Sequence, residues 1–303
     1  MTRPRRAPRI RPLLGHDGAV NDCAFGPGGT RLVSAGEDGT VRLWSTGSGE
    51  QEAVLGGHTG AVLGCAFGPD GTVVASAGGD GRVHLWDART GDRSGTLIQE
   101  GAVHGCAFRP DGRLLATAGE DETVRLWDPR NGAPVSVLTG HEAIVWSCAF
   151  GAEGATLVSA GEDRVVKIWD VERGRARLEV LTGCTGGRYR CAVAPDGALV
   201  AVPTGDGFRI GVWDCGTGRE VASLAGHTEA PVDVAFSPDG ALLASVGWDG
   251  SVRVWDPSAG APVAIVHTAA AGLACAFAPS GLVLAVADTD GAVTVTDLGS
   301  RSR

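Results

Sequence analysis

The sequence predicts an all-β fold built from seven copies of one four-stranded unit. Glycine makes up 48 of the 303 residues, more than twice its usual share of about 7%, which is typical of a chain with many tight turns. No segment carries the apolar spacing of a helix of about twelve residues. One position recurs every 41 to 44 residues, and its occupants are Trp44, Trp86, Trp127, Trp169, Trp213, Trp255 and Thr296.

Each unit is predicted to form four short strands joined by turns rich in glycine and aspartate. Apolar residues, many of them β-branched, fill the strand segments, and short strands at this spacing favour an all-β design. In the first unit the predicted strands cover residues 20–25, 32–35, 41–44 and 53–55, with turns at 26–29, 37–39 and 47–49.

Two further markers fix the period. A Gly-His pair opens four units, and 22 residues separate each of these histidines from the Asp of the next tight turn. An Asp directly follows the recurring position in six units. Identical spacings in four separate units indicate a true internal repeat.

A period of 40 to 45 residues with an early Gly-His and a late Trp-Asp resembles the WD-repeat (WD-40) β-propeller family. The resemblance covers residues 10–298 and implies seven four-stranded antiparallel blades around a central channel. It also implies that an N-terminal strand at 10–14 closes the last blade, which lacks its own fourth strand. The expected organisation is a basic disordered tail at 1–9, the propeller at 10–298 and a C-terminal tail at 299–303.

The resemblance implies a hydrogen-bonded tetrad of His, Ser, Asp and Trp inside each blade. The same residue types form hydrolase triads, but a nucleophile needs one activated, exposed copy, so four equivalent copies favour structural networks. The complete tetrads are expected to be His16, Ser34, Asp38 and Trp44; His58, Ser76, Asp80 and Trp86; His141, Ser159, Asp163 and Trp169; and His227, Ser245, Asp249 and Trp255.

Three units depart from this tetrad pattern. Blades five and seven are expected to be the least stable, because their networks lose the most partners. The residues at the tetrad positions are Gln99, Thr117, Asp121 and Trp127 in the third unit, Cys184, Val202, Asp206 and Trp213 in the fifth, and Thr268, Val286, Asp290 and Thr296 in the seventh.

The cysteines predict neither a metal site nor a disulfide. Six of the eight occupy one repeat position in the first strands, where small buried apolar residues are expected. No Cys-x-x-Cys pair exists, which argues against zinc. The other two, Cys184 and Cys215, are expected to be free thiols rather than a disulfide. No nucleotide-binding loop, zinc-protease motif or nucleophile elbow is present either, so we expect no catalytic residues, no cofactor and no metal.

Charge and hydropathy exclude two classes of partner. The net charge is −9, and the tails hold arginines but no acids, so the body is more acidic still and should repel nucleic acid. No apolar run approaches 18 residues, so no membrane association is expected. We expect a cytoplasmic protein that is monomeric by itself. The chain has Lys167 as its one lysine against 25 arginines, which suggests a GC-rich genome and a bacterial source.

The resemblance implies a binding surface on one rim of the ring, with two positions from each blade. One position lies five residues after the Gly-His histidine, and the other immediately precedes the turn Asp. From these positions we select as the candidate partner-binding rim Leu63, His104, Trp146, Tyr189, Val232, Trp248, Glu37, Glu120 and Glu162.

The composition of this rim favours a non-enzymatic scaffold for protein–protein interaction. Aromatic residues anchor interfaces, and glutamates beside them suit an Arg or Lys side chain of a protein or peptide partner. One alternative is that the aromatics only plug the channel. Another is a regulatory or sensor propeller that acts with a separate kinase or NTPase module. The least favoured is an enzyme that uses the central channel.

Overall fold

The computed structural model describes residues 10–182, 189–205 and 207–299. This part of the chain forms 28 β-strands arranged in seven four-stranded antiparallel sheets. No helix in it has the length and apolar character needed to cross a membrane. The predicted tail at 1–9 and residues 300–303 lie outside the described residues.

The strands follow the repeat, with four to each blade from the channel outwards. Blade one is β2 (Val20–Phe25), β3 (Arg31–Gly36), β4 (Thr40–Ser45) and β5 (Gln51–Gly56); blade two is β6 (Val62–Phe67), β7 (Val73–Gly78), β8 (Arg82–Asp87) and β9 (Arg93–Ile98); blade three is β10 (Val103–Phe108), β11 (Leu115–Gly119), β12 (Val124–Asp128) and β13 (Ala133–Leu138); blade four is β14 (Val145–Phe150), β15 (Thr156–Gly161), β16 (Val165–Asp170) and β17 (Arg175–Leu181).

The last three blades complete the ring. Blade five is β18 (Ala192–Val193), β19 (Leu199–Thr204), β20 (Arg209–Asp214) and β21 (Glu220–Leu224); blade six is β22 (Pro231–Phe236), β23 (Leu243–Gly247), β24 (Ser251–Asp256) and β25 (Ala261–His267); blade seven is β26 (Gly272–Phe277), β27 (Val283–Asp288), β28 (Ala292–Asp297) and β1 (Ile10–Leu14).

The N-terminal strand closes the ring, as the sequence predicted. Strand β1 pairs antiparallel with β28, from Ile10 opposite Thr296 to Leu14 opposite Ala292. Innermost strands of neighbouring blades contact each other around the ring, and β26 contacts β2. The seven-bladed all-β architecture is therefore confirmed, and chain closure ties the two ends of the propeller into one unit.

The hydrophobic core lies between the blades rather than in one central mass. Trp44 of blade one packs against Leu13 and Val293 of blade seven, and the other blade interfaces repeat this arrangement. The outer strands alternate between buried and exposed residues, as in β5, where Leu55 is buried and Val54 is exposed. Each blade therefore buries both faces of its inner strands against its neighbours and leaves its outer strand half in solvent.

A β-bulge in the innermost strand repeats in six blades. In blade one the pairing shifts between Val20 and Asp22, which leaves Asn21 as the extra residue. A bulge twists the strand locally and re-aims a side chain. The equivalent extra residues are Leu63, His104, Trp146, Val232 and Leu273.

Candidate functional site

Each complete tetrad is a chain of hydrogen bonds inside one blade. In blade one the Trp44 indole Nε1 donates to Ser34 Oγ at 2.8 Å, and Ser34 Oγ lies 2.7 Å from His16 Nε2. His16 Nδ1 lies 3.1 Å from the Asp38 carboxylate, which also accepts the backbone N–H of Asp17. The network therefore links the second and third strands to the loop that enters the blade.

The other three predicted tetrads have the same connectivity. The His Nε2 to Ser Oγ distances are 2.8 Å for His58 and Ser76, 2.7 Å for His141 and Ser159, and 2.7 Å for His227 and Ser245. The His Nδ1 to Asp distances are 3.0 Å to Asp80, 2.7 Å to Asp163 and 2.9 Å to Asp249. The indole donors are Trp86, Trp169 and Trp255.

The electrostatics of these networks stabilise neutral histidine beside charged aspartate. Burial lowers the pKa of His141 and His227 despite their aspartate partners. Burial alone would raise the pKa of Asp249, but hydrogen bonds from Thr228 and Ser251 lower it to about 2. A neutral imidazole whose two ring nitrogens are both engaged is a structural group.

Blade three keeps a full network although two of its residues differ. Gln99 Nε2 donates to Asp121 Oδ1 at 2.8 Å, and Thr117 Oγ1 donates to Gln99 Oε1 at 2.6 Å. The Trp127 indole donates to Thr117 Oγ1 at 2.8 Å. The Gln amide replaces the imidazole because it also offers two polar atoms, one facing the Asp and the other the hydroxyl.

Blade seven replaces its tetrad with a different turn. The sequence assigned Asp290 to the aspartate position, but the turn N–H groups of Asp290 and Ala292 donate to Asp288 Oδ1, each at 3.0 Å. Asp288 occupies the place that glycine holds in blade one, where a Cβ on Gly36 would lie 2.3 Å from His16 Nδ1. Because Thr268 replaces the histidine here, the space beside β27 accommodates a larger residue.

Blade five retains its tryptophan without the usual hydroxyl partner. Val202 stands at the serine position, and Trp213 remains buried. A Cβ on Gly211 would lie 2.1 Å from Cη2 of that indole, so the glycine is required for this ring position. The predicted tetrad members Cys184 and Asp206 lie outside the described residues.

Two tetrad residues and a neighbouring histidine in blade two form a group of potential metal ligands. Ligand atoms of His58, Asp80 and His84 lie within 4.8 Å of one another, the one such group among the described residues. His58 already uses both ring nitrogens, for Asp80 and Ser76. His84 Nδ1 lies 3.0 Å from Thr96 Oγ1. Hydrogen bonds within the blade therefore explain why these side chains lie close together.

The described cysteines are free, and all but Cys106 are buried. Burial raises the pKa of Cys191 and of Cys215 to about 11. A thiol with such a pKa is not ionised near neutral pH and is therefore a poor nucleophile. Cys184 lies outside the described residues.

A cavity among the described residues lies at the mouth of the central channel. Its volume is about 480 Å³, within the usual range for ligand pockets. We call this cavity the mouth. Of the predicted rim residues, those that line the mouth are Leu63, His104, Trp146, Tyr189, Val232, Trp248 and Glu37.

The three aromatic rim residues differ in exposure. Trp248 is 51% exposed. Trp146 is half-buried, stacks edge-on against His104 at 4.5 Å between ring centroids, and packs on the core between blades four and five. Tyr189 is only 5% exposed, and its hydroxyl donates to the Gly161 carbonyl. Tyr189 is therefore a structural residue, because its ring fits the gap between blades four and five. Trp248 is the most exposed of the three aromatic rim residues.

The three predicted glutamates also differ in their position relative to the mouth. Glu37 lines the mouth, whereas Glu120 and Glu162 lie outside its lining. Glu120 accepts the backbone N–H of Ala102 at 3.0 Å and lies 3.7 Å from His104 Nε2. Glu162 is exposed.

Arg190 spans the channel beneath the mouth, a contact that the sequence did not reveal. The Arg190 guanidinium of blade five forms an ion pair with Asp22 of blade one. It also donates to the carbonyl of Asn21 at 3.1 Å and to the carbonyl of Leu63 in blade two at 2.9 Å. The backbone N–H of Arg190 donates to the Val232 carbonyl of blade six at 3.0 Å.

The acidic partners of Arg190 are themselves fixed by backbone groups. Asp22 accepts the N–H of Cys23 at 2.8 Å and that of Cys65 at 2.7 Å, so it joins blades one and two. Asp233 joins blades six and seven in the same way through Cys275. Burial raises the pKa of Asp233 to about 7, although the Arg190 charge opposes this effect. The charged side chains Asp22, Arg190 and Asp233 therefore link blades to one another.

Two of the mouth residues that the sequence reasoning missed are Phe208 and Arg190. Phe208 lines the mouth, is 41% exposed and has a φ of 54°. A bulky residue in this left-handed region is uncommon, and such strain concentrates at functional sites. The extra residue before Trp213 in the fifth unit was the available signal. For Arg190, the signal was a basic residue at the repeat position where Asp22 and Asp233 carry the opposite charge.

The face around the mouth is acidic. In an antiparallel blade, the loop before the first strand and the turn between the second and third strands lie at the same end. The exposed basic residues of these described loops and turns are Arg82 and Arg164. The exposed acidic residues there are Asp17, Glu37, Glu100, Glu120, Glu122, Glu142, Glu162, Glu229 and Asp290.

Comparison with known proteins identifies relatives of short segments. Periodic tryptophan protein 2 homolog of Schizosaccharomyces pombe is 44% identical over 71 residues, 23% of this chain and 8% of that protein. Coronin-7 of Rattus norvegicus is 41% identical over 78 residues, 26% of this chain and 8% of that protein. Periodic tryptophan protein 2 of Arabidopsis thaliana is 49% identical over 63 residues, 20% of this chain and 7% of that protein. The aligned segments thus span less than a tenth of the relatives' own length.

These relatives overturn one expectation. The excess of arginine over lysine suggested a bacterial source, but the relatives are eukaryotic proteins from yeast, rat and plant. Arginine enrichment is a compositional bias that does not depend on the fold, so the prediction of a bacterial source is wrong.

The family profile matches five segments of the chain. The profile is described as "WD domain, G-beta repeat", and the matched residues are 8–45, 49–87, 91–128, 132–170 and 218–256. Most of blades five and seven lies outside these segments, in agreement with the tetrad positions that depart in those blades. Because the matches cover more than half of the sequence and the structure is a seven-bladed propeller, the chain belongs to the WD40 family.

Proposed function

We propose that the chain is a protein-interaction scaffold that binds a basic segment of a partner protein at the mouth. The observation that carries the proposal is an exposed tryptophan, Trp248, in a cavity of about 480 Å³ within an acidic face. Aromatic anchors dominate the energetics of interfaces. An acidic surround favours a cationic partner by attraction at a distance and by pairing at contact.

The indole of Trp146 supports the same proposal. Its Nε1 is buried and has no hydrogen-bond acceptor among the described residues. An unsatisfied buried donor costs about 1–3 kcal/mol. A carbonyl of a bound segment would remove that cost if the Trp146 ring turned its buried Nε1 toward the cavity that it lines, which favours a polypeptide with backbone acceptors and a cationic side chain.

The arrangement of the channel gives no reason to propose catalysis. The charged groups Asp22, Arg190 and Asp233 all engage backbone groups or each other, and the tetrad groups lie inside the blades. The proposal is therefore confined to binding.

Affinity capture followed by mass spectrometry tests the proposal. The full chain is used as wild type, as Trp248→Ala and as Val263→Ala, a matched control because Val263 is 59% exposed on the outer strand β25. We expect a partner retained by wild type and the control and lost from Trp248→Ala. Retention of the same partners by all three proteins would contradict the proposal.

A further inference from the structure

The six tryptophans at the repeat position share one packing arrangement. In blade one the Trp44 indole packs on Leu32 of its own blade and on Leu13 and Val293 of blade seven. Leu13 pairs with Val293 in register, and Leu32 pairs with Trp44. The same triad, an aliphatic pair from the preceding blade and one residue opposite the indole, surrounds Trp86, Trp127, Trp169, Trp213 and Trp255.

Blade seven keeps this triad but has no indole. Val266 pairs with Val252 in blade six, and Leu284 pairs with Thr296 in blade seven. A cavity of about 240 Å³ lies there and is lined by all four of these residues. The cavity therefore occupies the place that an indole holds in the other six blades.

The walls of this cavity are uncharged and largely aliphatic. They also include Val286, at the serine position, and Thr268, at the histidine position, together with Thr294 and Leu298, and no Asp, Glu, Lys or Arg is among the described lining residues. The exposed residues Pro12, His267 and Ala269 border the cavity and give it access to solvent. An aliphatic cavity of about 150 Å³ is sufficient to bind benzene.

We propose that the cavity between blades six and seven binds an uncharged aromatic ring of about indole size. The ring lies on Val252, Val266 and Leu284 as the blade indoles lie on their own triads. Because Val286 stands where a serine accepts the indole N–H in four other blades, binding depends on the shape of the ring and not on its N–H. The ring belongs either to a free molecule or to a tryptophan side chain of a peptide.

The test compares indole with indene, which has the same shape but lacks the N–H, by ligand-observed NMR and thermal shift. We expect saturable binding of both with similar affinity. The Thr296→Trp variant fills the cavity and should lower the affinity at least tenfold, whereas Trp248→Ala in the mouth should leave it unchanged. N-acetyltryptophanamide forms a separate arm: tighter binding than indole assigns the ring to a peptide, and weaker binding assigns it to a free molecule.

A second variant tests the position of the ring even if Thr296→Trp does not fold. Val286→Ser restores the missing acceptor and should raise the affinity for indole about fivefold, the effect of one added hydrogen bond, without raising that for indene. The proposal is overturned if none of the three probes binds the folded wild type saturably. It is also overturned if a folded Thr296→Trp binds as wild type does, or if Val286→Ser does not separate indole from indene.

Discussion

At the scale of single residues, the tetrads depend on hydrogen-bonding capacity rather than on residue identity. Gln99 preserves a complete chain from Asp121 to the indole because its amide bridges the same two partners as an imidazole. Thr268 is too short for this role, and its hydroxyl donates to backbone carbonyls instead. Asp288 then holds the turn, so blade seven keeps its shape through another residue.

The first prediction compares two turn aspartates. Asp163 accepts hydrogen bonds from the His141 ring and the backbone N–H groups of Glu142 and Val165, so Asp163→Ala should lower the free energy of unfolding by about 1–3 kcal/mol. Asp290→Ala should cost less, because Asp290 is exposed and Asp288 holds the turn. Denaturant midpoints of the two variants measure this. Equal losses would contradict the assignment of blade seven.

The second prediction concerns the pH dependence of stability. Burial and the nearby His58 and Arg93 lower the pKa of His84 to about 4. The unfolded histidine binds its proton near pH 6.5, so the stability contributed by neutral His84 is present above that pH and is lost as pH falls towards 4. The neutral variant His84→Gln should therefore lose less stability than wild type between pH 7 and 4.5. Parallel stability curves for the two proteins would rule out this role for His84.

At the scale of elements, the propeller is closed by a strand that lies far in the sequence from the rest of its blade. Strand β1 comes from the start of the chain and pairs along its whole length with β28. Its Leu13 is fully buried against Trp44 of the next blade. The strand thus covers the edge of blade seven, which would otherwise be exposed to solvent. It also completes the interface between blades seven and one.

The third prediction follows from this closure. Deletion of residues 1–15 removes β1 and should lower the thermal midpoint and promote self-association through the exposed edge of β28. Deletion of residues 1–8 leaves β1 intact and serves as the control, with little change expected. Thermal unfolding and size-exclusion chromatography measure both effects. An unchanged midpoint after the longer deletion would disprove the structural role of β1.

The repeat period was sufficient to predict the strands, because every unit repeats the same local pattern, and the family resemblance implied the positions of the rim. Those positions placed Trp146, Tyr189 and Trp248 near one channel mouth but did not predict their burial, which depends on gaps between neighbouring blades. The pairing of Arg190 with Asp22 joins residues 168 positions apart, and its one signal was the opposite charge of these residues at the same repeat position. The replacement of glycine by Asp288 was also not predictable from the local pattern, because it is possible only in a blade that lacks the histidine.

At the scale of the whole molecule, contacts between blades surround an open mouth. Arg190 crosses the channel to blades one and two and lines the cavity. Tyr189 seals the side between blades four and five. Trp248 and Phe208 remain exposed above them. The result is a cavity with aromatic residues in its wall and an acidic surround, which supports the proposal of a basic partner segment.

The most direct test of this account is the dissociation constant of the captured partner for wild type, Trp248→Ala and the control Val263→Ala at two salt concentrations. We expect Trp248→Ala to weaken binding about 30-fold, the effect of losing an anchor worth about 2 kcal/mol, with a thermal midpoint close to that of wild type. Higher salt should weaken binding to all three proteins, since the acidic face contributes to association. Unchanged affinity of a folded Trp248→Ala would contradict the assignment of the mouth as the binding site.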